Sequence, residues 1–181
     1  MPPSRRQLLG SLVCLGGAAG CLGRITGDAG ARRIVDHSVD ADAEHSLTPT
    51  ITIEQEVSTS VSPAVIRIEW RNDTDETRKL AADALTFGAT SIDGEVLLYD
   101  DALDALDANP TYDRCWYASD GVERSTTGPV EIPSGESVVA EPGLYGIGAC
   151  IAAGTYRFET TVESGGDTAD WGLDITFDVP Q

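Results

Sequence analysis

Alternation of apolar and polar residues is the feature that most limits how this chain can fold. From Ile66 to Arg71 every second side chain is apolar, and arginine or glutamate fills the positions between. The same period of two recurs from Tyr156 to Val162 and from Trp171 to Val179. Because successive side chains of a strand point to opposite faces, each segment predicts a strand with one face in a core and the other in water.

Shorter alternating segments predict further strands, separated by turn-forming residues such as Asp93-Gly94 and Asp120-Gly121. These strands are expected at Ile51–Val57, Thr77–Ala81, Glu95–Tyr99, Arg114–Ala118 and Glu136–Ala140. About eight mostly antiparallel strands in about 130 residues favour an all-β, immunoglobulin-like two-sheet sandwich. The one helical candidate runs from Asp100 to Ala108 and stops before Pro110.

The first 21 residues carry the pattern of a cleaved export signal. Arg5 and Arg6 precede a short apolar run that closes on Ala19-Gly20-Cys21. This run is shorter than the roughly 20 residues that a membrane-spanning helix needs. The paired arginines resemble a twin-arginine signal, and the segment before Cys21 resembles a lipobox. The resemblance implies export, removal of residues 1–20 and lipidation of Cys21, which would tether the protein to the extracellular face of the cell membrane.

Residues 21–49 contain little periodic apolar sequence, so we expect a lipidated flexible spacer there. A single edge strand near Ile34–Val39 is the alternative for part of it. The sandwich domain is then expected to occupy residues 50–181.

The net charge of the chain restricts both the solvent in which it can work and the partners that it can bind. The chain has 30 acidic and 12 basic residues, a net charge of −18, and Lys79 is the one lysine. Loss of Arg5 and Arg6 with the signal makes the mature charge −18 − 2 = −20. Such a surface repels nucleic acid, whose binding depends on lysine and arginine. Dispersed acidity with almost no lysine is typical of proteins that work in concentrated salt, where self-repulsion is screened. With its N-terminus, the chain resembles haloarchaeal twin-arginine lipoproteins.

The segment Val65–Val162 resembles the small exported immunoglobulin-like domains of intracellular proteinase inhibitors and of lipoproteins. The shared elements are a strand ending in Asn72-Asp73-Thr74-Asp75, a Pro-x-Gly-Glu turn at 133–136, and Gly154-Thr155-Tyr156 opening a late strand. Antibody-domain hallmarks are missing, since Trp116 abuts Cys115 and Gly148 occupies the place of the corner tyrosine.

Two cysteines remain once Cys14 leaves with the signal and Cys21 takes a lipid. In an exported domain, Cys115 and Cys150 are expected to form a disulfide. Metal binding by this cysteine pair is the alternative.

Histidine is scarce, which argues against metal and nucleophilic sites. Both histidines, His37 and His45, lie in the expected spacer, and Met1 is the one methionine. A blue-copper site needs two histidines with a cysteine, and triad hydrolases need a histidine in the domain. No zinc-ligand spacing occurs either. We therefore expect no metal, no cofactor and no catalytic residue.

Two features of the expected surface each allow two interpretations. Asn72-Asp73-Thr74 is an acceptor sequence for N-glycosylation, or simply a turn. The acids Asp100, Asp101, Asp104 and Asp107 could gather around a hard cation, or form part of a solvated acidic surface.

Two functions from different classes agree with these observations. The first is a binding or interaction domain displayed at the cell envelope, with an envelope protein or glycan as partner. The second is an exported hydrolase that acts through paired carboxylates. The first is the prediction, because small sandwiches without histidine or a metal site rarely carry catalysis.

Overall fold

The structure, a computed structural model, describes residues 30–40, 45–59, 61–100, 115, 117–118, 128–164 and 166–180. Twelve strands and one short 3-10 helix, η1, lie in this part of the chain. They are β1 (Arg32–Asp40), β2 (Leu47–Gln55), β3 (Val57–Ser58), β4 (Ala64–Asn72), β5 (Arg78–Leu80), η1 (Ala84–Thr86), β6 (Val96–Tyr99), β7 (Tyr117–Ala118), β8 (Val130–Ile132), β9 (Ser137–Ala140), β10 (Gly143–Ile147), β11 (Gly154–Ser164) and β12 (Asp167–Asp178).

Two main sheets form a sandwich, which confirms the predicted fold class. The four-stranded sheet has the order β11-β12-β1-β3. The six-stranded sheet follows β2-β4-β10-β6, with β7 against β10 and β9 against β4. A small third sheet pairs β5 with β8. Every pair is antiparallel except β7 with β10.

The long alternating strands place their apolar residues in one core between the sheets. Trp70 of β4 and Trp171 of β12 are 0% and 1% exposed, and their rings meet edge to face at 5.8 Å. Because these strands belong to opposite sheets, the tryptophan pair joins the two halves of the sandwich. Val179 was expected to continue the buried face of β12, but it is 55% exposed because the strand ends at Asp178.

A second, smaller cluster covers the outer face of β6 and β10. Tyr99 and Tyr145 are 3% and 7% exposed and meet edge to face at 5.9 Å. They pack with Ala89, Leu97 and Ala118. β6 is therefore buried on both faces, although alternation normally leaves one face of an antiparallel strand in water.

The prediction that residues 21–49 form a flexible spacer is wrong in part, because two strands begin within that range. Residues 32–40 form β1, which pairs with β12 from Arg33–Asp178 to Asp40–Gly172, and β2 begins at Leu47. The strand considered near Ile34–Val39 is therefore real, and the sandwich begins before residue 50. Its register shifts between Ile34 and Asp36, which breaks the alternation that would have revealed it.

The strand registers define two ends of the sandwich. We call the end with residues 30–33, 57–59, 61–63 and 177–180 the tether end, because the described chain enters the sandwich there. The distal end contains residues 71–76, 133–136 and 164–167 without residue 165, together with Asp40 at the end of β1. Among the described residues, no helix is long and apolar enough to cross a membrane.

Candidate functional site

An open cleft of about 680 Å³ lies on the outer face of the four-stranded sheet, toward the distal end. Its volume is within the usual range of small-molecule sites. Side chains from three strands and from the segment around η1 line it. They include Asp40, Asp83, Arg157, Glu159, Thr161 and Asp170. We call it the Arg157 cleft.

Arg157 holds three carboxylates that belong to three adjacent strands. Its Nη2 lies 2.6 Å from Asp40 Oδ2 on β1, and its Nη1 lies 3.0 Å from Asp174 Oδ2 on β12. Its Nε donates to Glu159 Oε1, two residues along β11, at 3.0 Å. The guanidinium therefore crosses the surface of the sheet and fixes the position of each carboxylate.

Gly172 leaves the space that the Arg157 side chain needs to cross the surface of the sheet. It pairs with Glu159 on one side and with Asp40 on the other, so it lies under the path of the Arg157 side chain. A Cβ atom at residue 172 would collide with the Arg157 guanidinium. Glycine is consequently the residue that lets the guanidinium lie against β12.

Gly88 brings the loop after η1 close to the edge of β11. A Cβ atom there would come within 2.6 Å of the Glu159 carbonyl oxygen, and the φ of Gly88 is +75°. Nearby, the Ile92 N–H donates to the Arg157 carbonyl at 2.8 Å. These contacts position one wall of the Arg157 cleft against its floor.

The electrostatics of the cleft favour a ligand that donates hydrogen bonds. The pKa of Arg157 is raised above its ordinary value, first by the hydrogen bond to Glu159 and then by the one to Asp40. Arg157 thus stays cationic, but five carboxylates surround or line the cleft, from Asp40, Asp83, Glu159, Asp170 and Asp174. Excess acceptors suit ammonium groups or the hydroxyls of a sugar.

Two carboxylates of this cleft are exposed to solvent and paired with the same cation. The side chains of Asp40 and Glu159 are 66% and 56% exposed, and each is held by the guanidinium. A general acid for glycoside hydrolysis is commonly a carboxyl group withdrawn from water. Within the described ranges, no group of three or more His, Cys, Asp or Glu side chains could hold a metal ion.

The predicted disulfide is confirmed. Cys115 and Cys150 are bonded, with their Cα atoms 5.6 Å apart. The bond lies beside the parallel pair of β7 and β10, where the Gly148 N–H also donates to the Ala118 carbonyl at 2.7 Å. Arg5, Arg6 and Cys21 lie outside the described residues.

Of the two interpretations of Asn72, the geometry of the folded domain favours the turn over glycosylation. The residue is 0% exposed, and its Nδ2, the atom that would carry a glycan, donates to the carbonyls of Glu76 and Ile132 at 2.8 and 2.9 Å. Its Oδ1 accepts from the Thr74 N–H and hydroxyl at 3.0 and 2.7 Å. The turn interpretation agrees with these contacts, since Asn72 ties the end of β4 to the turn that follows and to β8.

Asp100 is also structural. It is 8% exposed, and its Oδ2 accepts from the Glu141 N–H at 2.8 Å. The other acids considered for a cation, Asp101, Asp104 and Asp107, lie outside the described residues, as does the predicted helix from residue 101 onward.

Sequence reasoning did not find the Arg157 cleft. Alternation placed Arg157 and Glu159 on the outward face of β11, but it does not reveal which strands lie beside them. Asp40 is 117 positions away in the chain, and the pairing of β1 with β12 alone brings it near. Comparisons of the chain with protein-family models, curated proteins and solved structures found no match.

Proposed function

We propose that the mature protein is a lipid-anchored binding domain on the extracellular face of a halophile's cell membrane, with the Arg157 cleft as its binding site. The paired arginines Arg5 and Arg6 and the segment before Cys21 support the anchor. The even distribution of acidic residues supports the halophilic setting.

The position of the cleft relative to the point of attachment is the observation that carries the proposal. The chain enters the sandwich at Arg32, and Asp40 of the cleft stands at the other end of the same strand. At about 3.3 Å per residue, eight residues of strand separate the two by roughly 26 Å. A tether at one end and a cleft toward the other suit a domain that is held by the membrane and binds a ligand away from it.

The ligand class follows from the lining of the cleft. Exposed carboxylates with two threonines, Thr160 and Thr161, offer many acceptors and few apolar contacts. A glycan, or an envelope protein segment rich in hydrogen-bond donors, matches this chemistry. Binding is favoured over carboxylate-based hydrolysis because Arg157 engages Asp40, Glu159 and Asp174.

The anchor is tested by replacing the lipidated residue. We expect Cys21→Ser to release the protein from membranes into the medium, since nothing then joins it to the bilayer. Arg5→Lys with Arg6→Lys should retain the protein inside the cell, because the export signal is lost. Fractionation and immunoblotting measure both outcomes, with Cys14→Ser as the control for loss of a cysteine. A Cys21→Ser protein that still sediments with membranes would contradict the anchor.

The cleft is tested with the complete Cys21→Ser chain and washed envelope fractions from the producing cells. We expect binding to fall at least tenfold, about 1.4 kcal/mol, in Arg157→Gln with Asp170→Asn. The first substitution frees Asp40, Glu159 and Asp174 from the guanidinium that holds them, and the second removes the charge of one acceptor. Arg71→Gln is the matched control, since Arg71 also pairs with a carboxylate, Asp73 at 2.6 Å, but lies away from the cleft.

Treatment of the envelope fraction separates the two partner classes. Periodate destroys glycan diols, and protease destroys a protein partner. Equal binding by wild type and the cleft variant would remove the Arg157 cleft from the proposal.

A further inference from the structure

The tether end carries exposed apolar side chains on both sides of the entering strand. Val61 is 79% exposed and Val179 is 55% exposed. Val179 directly follows Asp178, which pairs with Arg33, and Val61 lies in the turn after Ser58, which pairs with Arg32. The two valines therefore flank the start of β1.

Arg32 lies between these valines and differs from the other cations. Seven basic residues fall within the described ranges. They are Arg32, Arg33, Arg67, Arg71, Arg78, Lys79 and Arg157. Six of these have a carboxylate oxygen within 4.0 Å; among the described residues, Arg32 is the exception. Its Nη1 donates to the neighbouring Ala31 carbonyl at 2.7 Å.

An unpaired cation is unexpected in a chain with 30 acidic residues. Arg32 is half-buried, and its Nε is shielded from solvent without a hydrogen-bond partner. Together with the two exposed valines it forms a small basic and apolar surface, which we call the Arg32 surface: Arg32, Val61 and Val179. Basic and apolar side chains together are typical of protein surfaces that lie at a lipid interface.

The length of chain before this surface limits how far it can stand from the bilayer. Nine residues lead from Cys21 to Gly30. Even fully extended, they span only about 30 Å. A lipid on Cys21 therefore keeps the tether end close to the headgroups.

We infer that the Arg32 surface rests on the bilayer that holds the lipid of Cys21. Val61 and Val179 enter the interfacial layer, and the Arg32 guanidinium meets headgroup phosphates. This inference depends on the proposed anchor. It adds an orientation: the Arg157 cleft, beside Asp40 at the other end of β1, is then held at a distance from the membrane.

The acidic groups at this end do not prevent the contact. Glu56 is engaged by Arg33, with Nε 3.5 Å from Oε1, and the Asp178 carboxylate accepts from the Val179 N–H at 2.7 Å. In molar salt the Debye length is about 3 Å, so the acidic body repels an anionic bilayer only at very short range.

Hydrogen exchange on vesicles tests the inference without relying on cellular lipidation. The mature chain, residues 21–181, is coupled through the Cys21 thiol to a maleimide lipid. The vesicles contain equal parts of phosphatidylglycerol and phosphatidylcholine in molar KCl. We expect amide exchange at residues 61–62 and 178–179 to slow about tenfold relative to the uncoupled protein, and exchange around Arg157 to stay unchanged.

Variants identify the responsible side chains. Val61→Asp with Val179→Asp should abolish the slowing, and Arg32→Gln should reduce it. Ile92→Asp is the matched control, because Ile92 is 63% exposed but lies beside Arg157 on the edge of β11, so slowing at the tether end should persist.

Each outcome separates the two proposals. Coupled protein without slowed exchange overturns the docking and leaves the anchor standing. Slowed exchange without vesicles, increasing with protein concentration, would assign the Arg32 surface to a second copy of the chain and would also overturn it. Failure of cells to retain the wild-type protein on membranes overturns the anchor itself.

Discussion

Replacing Asn72 with alanine is expected to lower the free energy of unfolding by about 3 kcal/mol. The side chain is 0% exposed and takes part in four hydrogen bonds, two through Nδ2 and two through Oδ1. Its removal leaves the buried Ile132 carbonyl without this donor, and it frees the turn that begins at Thr74 from the end of β4. A buried acceptor left without a partner typically costs about 1–3 kcal/mol.

Asn72→Asp should destabilise the protein at least as much, although its shape is nearly unchanged. The carboxylate cannot donate, so it would face the carbonyls of Glu76 and Ile132 with a like partial charge. Urea unfolding in constant molar salt measures both variants.

Thr74→Val is the control that separates hydrogen bonding from glycosylation. It destroys the acceptor sequence as completely as Asn72→Ala, yet it removes only the contacts of one hydroxyl. These are the bonds that it donates to Asn72 and Glu76, at 2.7 and 3.1 Å, and the bond that it accepts from Arg78 Nε at 3.2 Å. We expect a loss of about 1 kcal/mol. Equal losses in Thr74→Val and Asn72→Ala, or a glycan mass on the peptide that contains Asn72, would contradict the buried role.

The alternation of apolar and polar residues predicted the strands that have one face in the core and the other in water. In β4, for example, Ile66, Ile68 and Trp70 are at most 1% exposed, and the residues between them are partly or fully exposed. Local sequence suffices there, because the hydrophobic effect acts on each residue separately.

The same reasoning failed for β10, a central strand of the six-stranded sheet. Its inward Leu144 and its outward Tyr145 are both buried, so no polar residue marks an outer face. Two of its five residues are glycines, which are depleted in strands. Gly146 is required where the chain folds back, because a Cβ atom there would collide with the Ala149 carbonyl.

The candidate site could not be predicted from local sequence, for a related reason. The Arg157 cleft depends on the registers of β11, β12 and β1, which are set by contacts between distant segments. The disulfide, by contrast, could be predicted because setting aside the cysteine of the expected signal and the expected lipidated cysteine left a single pair.

Removal of this disulfide is the second large effect that we expect. Cys115 and Cys150 are 35 positions apart, and their bond closes a loop that contains β7, β8, β9 and β10. On the chain-entropy argument, Cys115→Ser with Cys150→Ser should lower the free energy of unfolding by about 3–4 kcal/mol. For a domain of this size, the melting temperature should fall by about 10 °C.

In the unlipidated chain of residues 21–181, Cys21→Ser is the matched control, since it removes a thiol without touching the bond and should leave the melting temperature unchanged. Alkylation of the denatured mature protein checks the bond directly. Neither Cys115 nor Cys150 should react before reduction, and both should react afterwards. Two alkylated thiols before reduction, in protein isolated from the envelope, would overturn the bridge.

The size of the effect should depend little on how well the closed segment is packed. β10 is held between β4 and β6 whether or not the bond exists, since the bond pairs none of its backbone groups. The stabilisation arises chiefly in the unfolded chain, whose freedom the closed loop restricts. The serine variant should therefore keep the fold and its second cluster around Tyr99 and Tyr145, and unfold at lower temperature. Loss of near-ultraviolet tyrosine signals well below the melting transition would instead show that the bond holds the outer cluster in place.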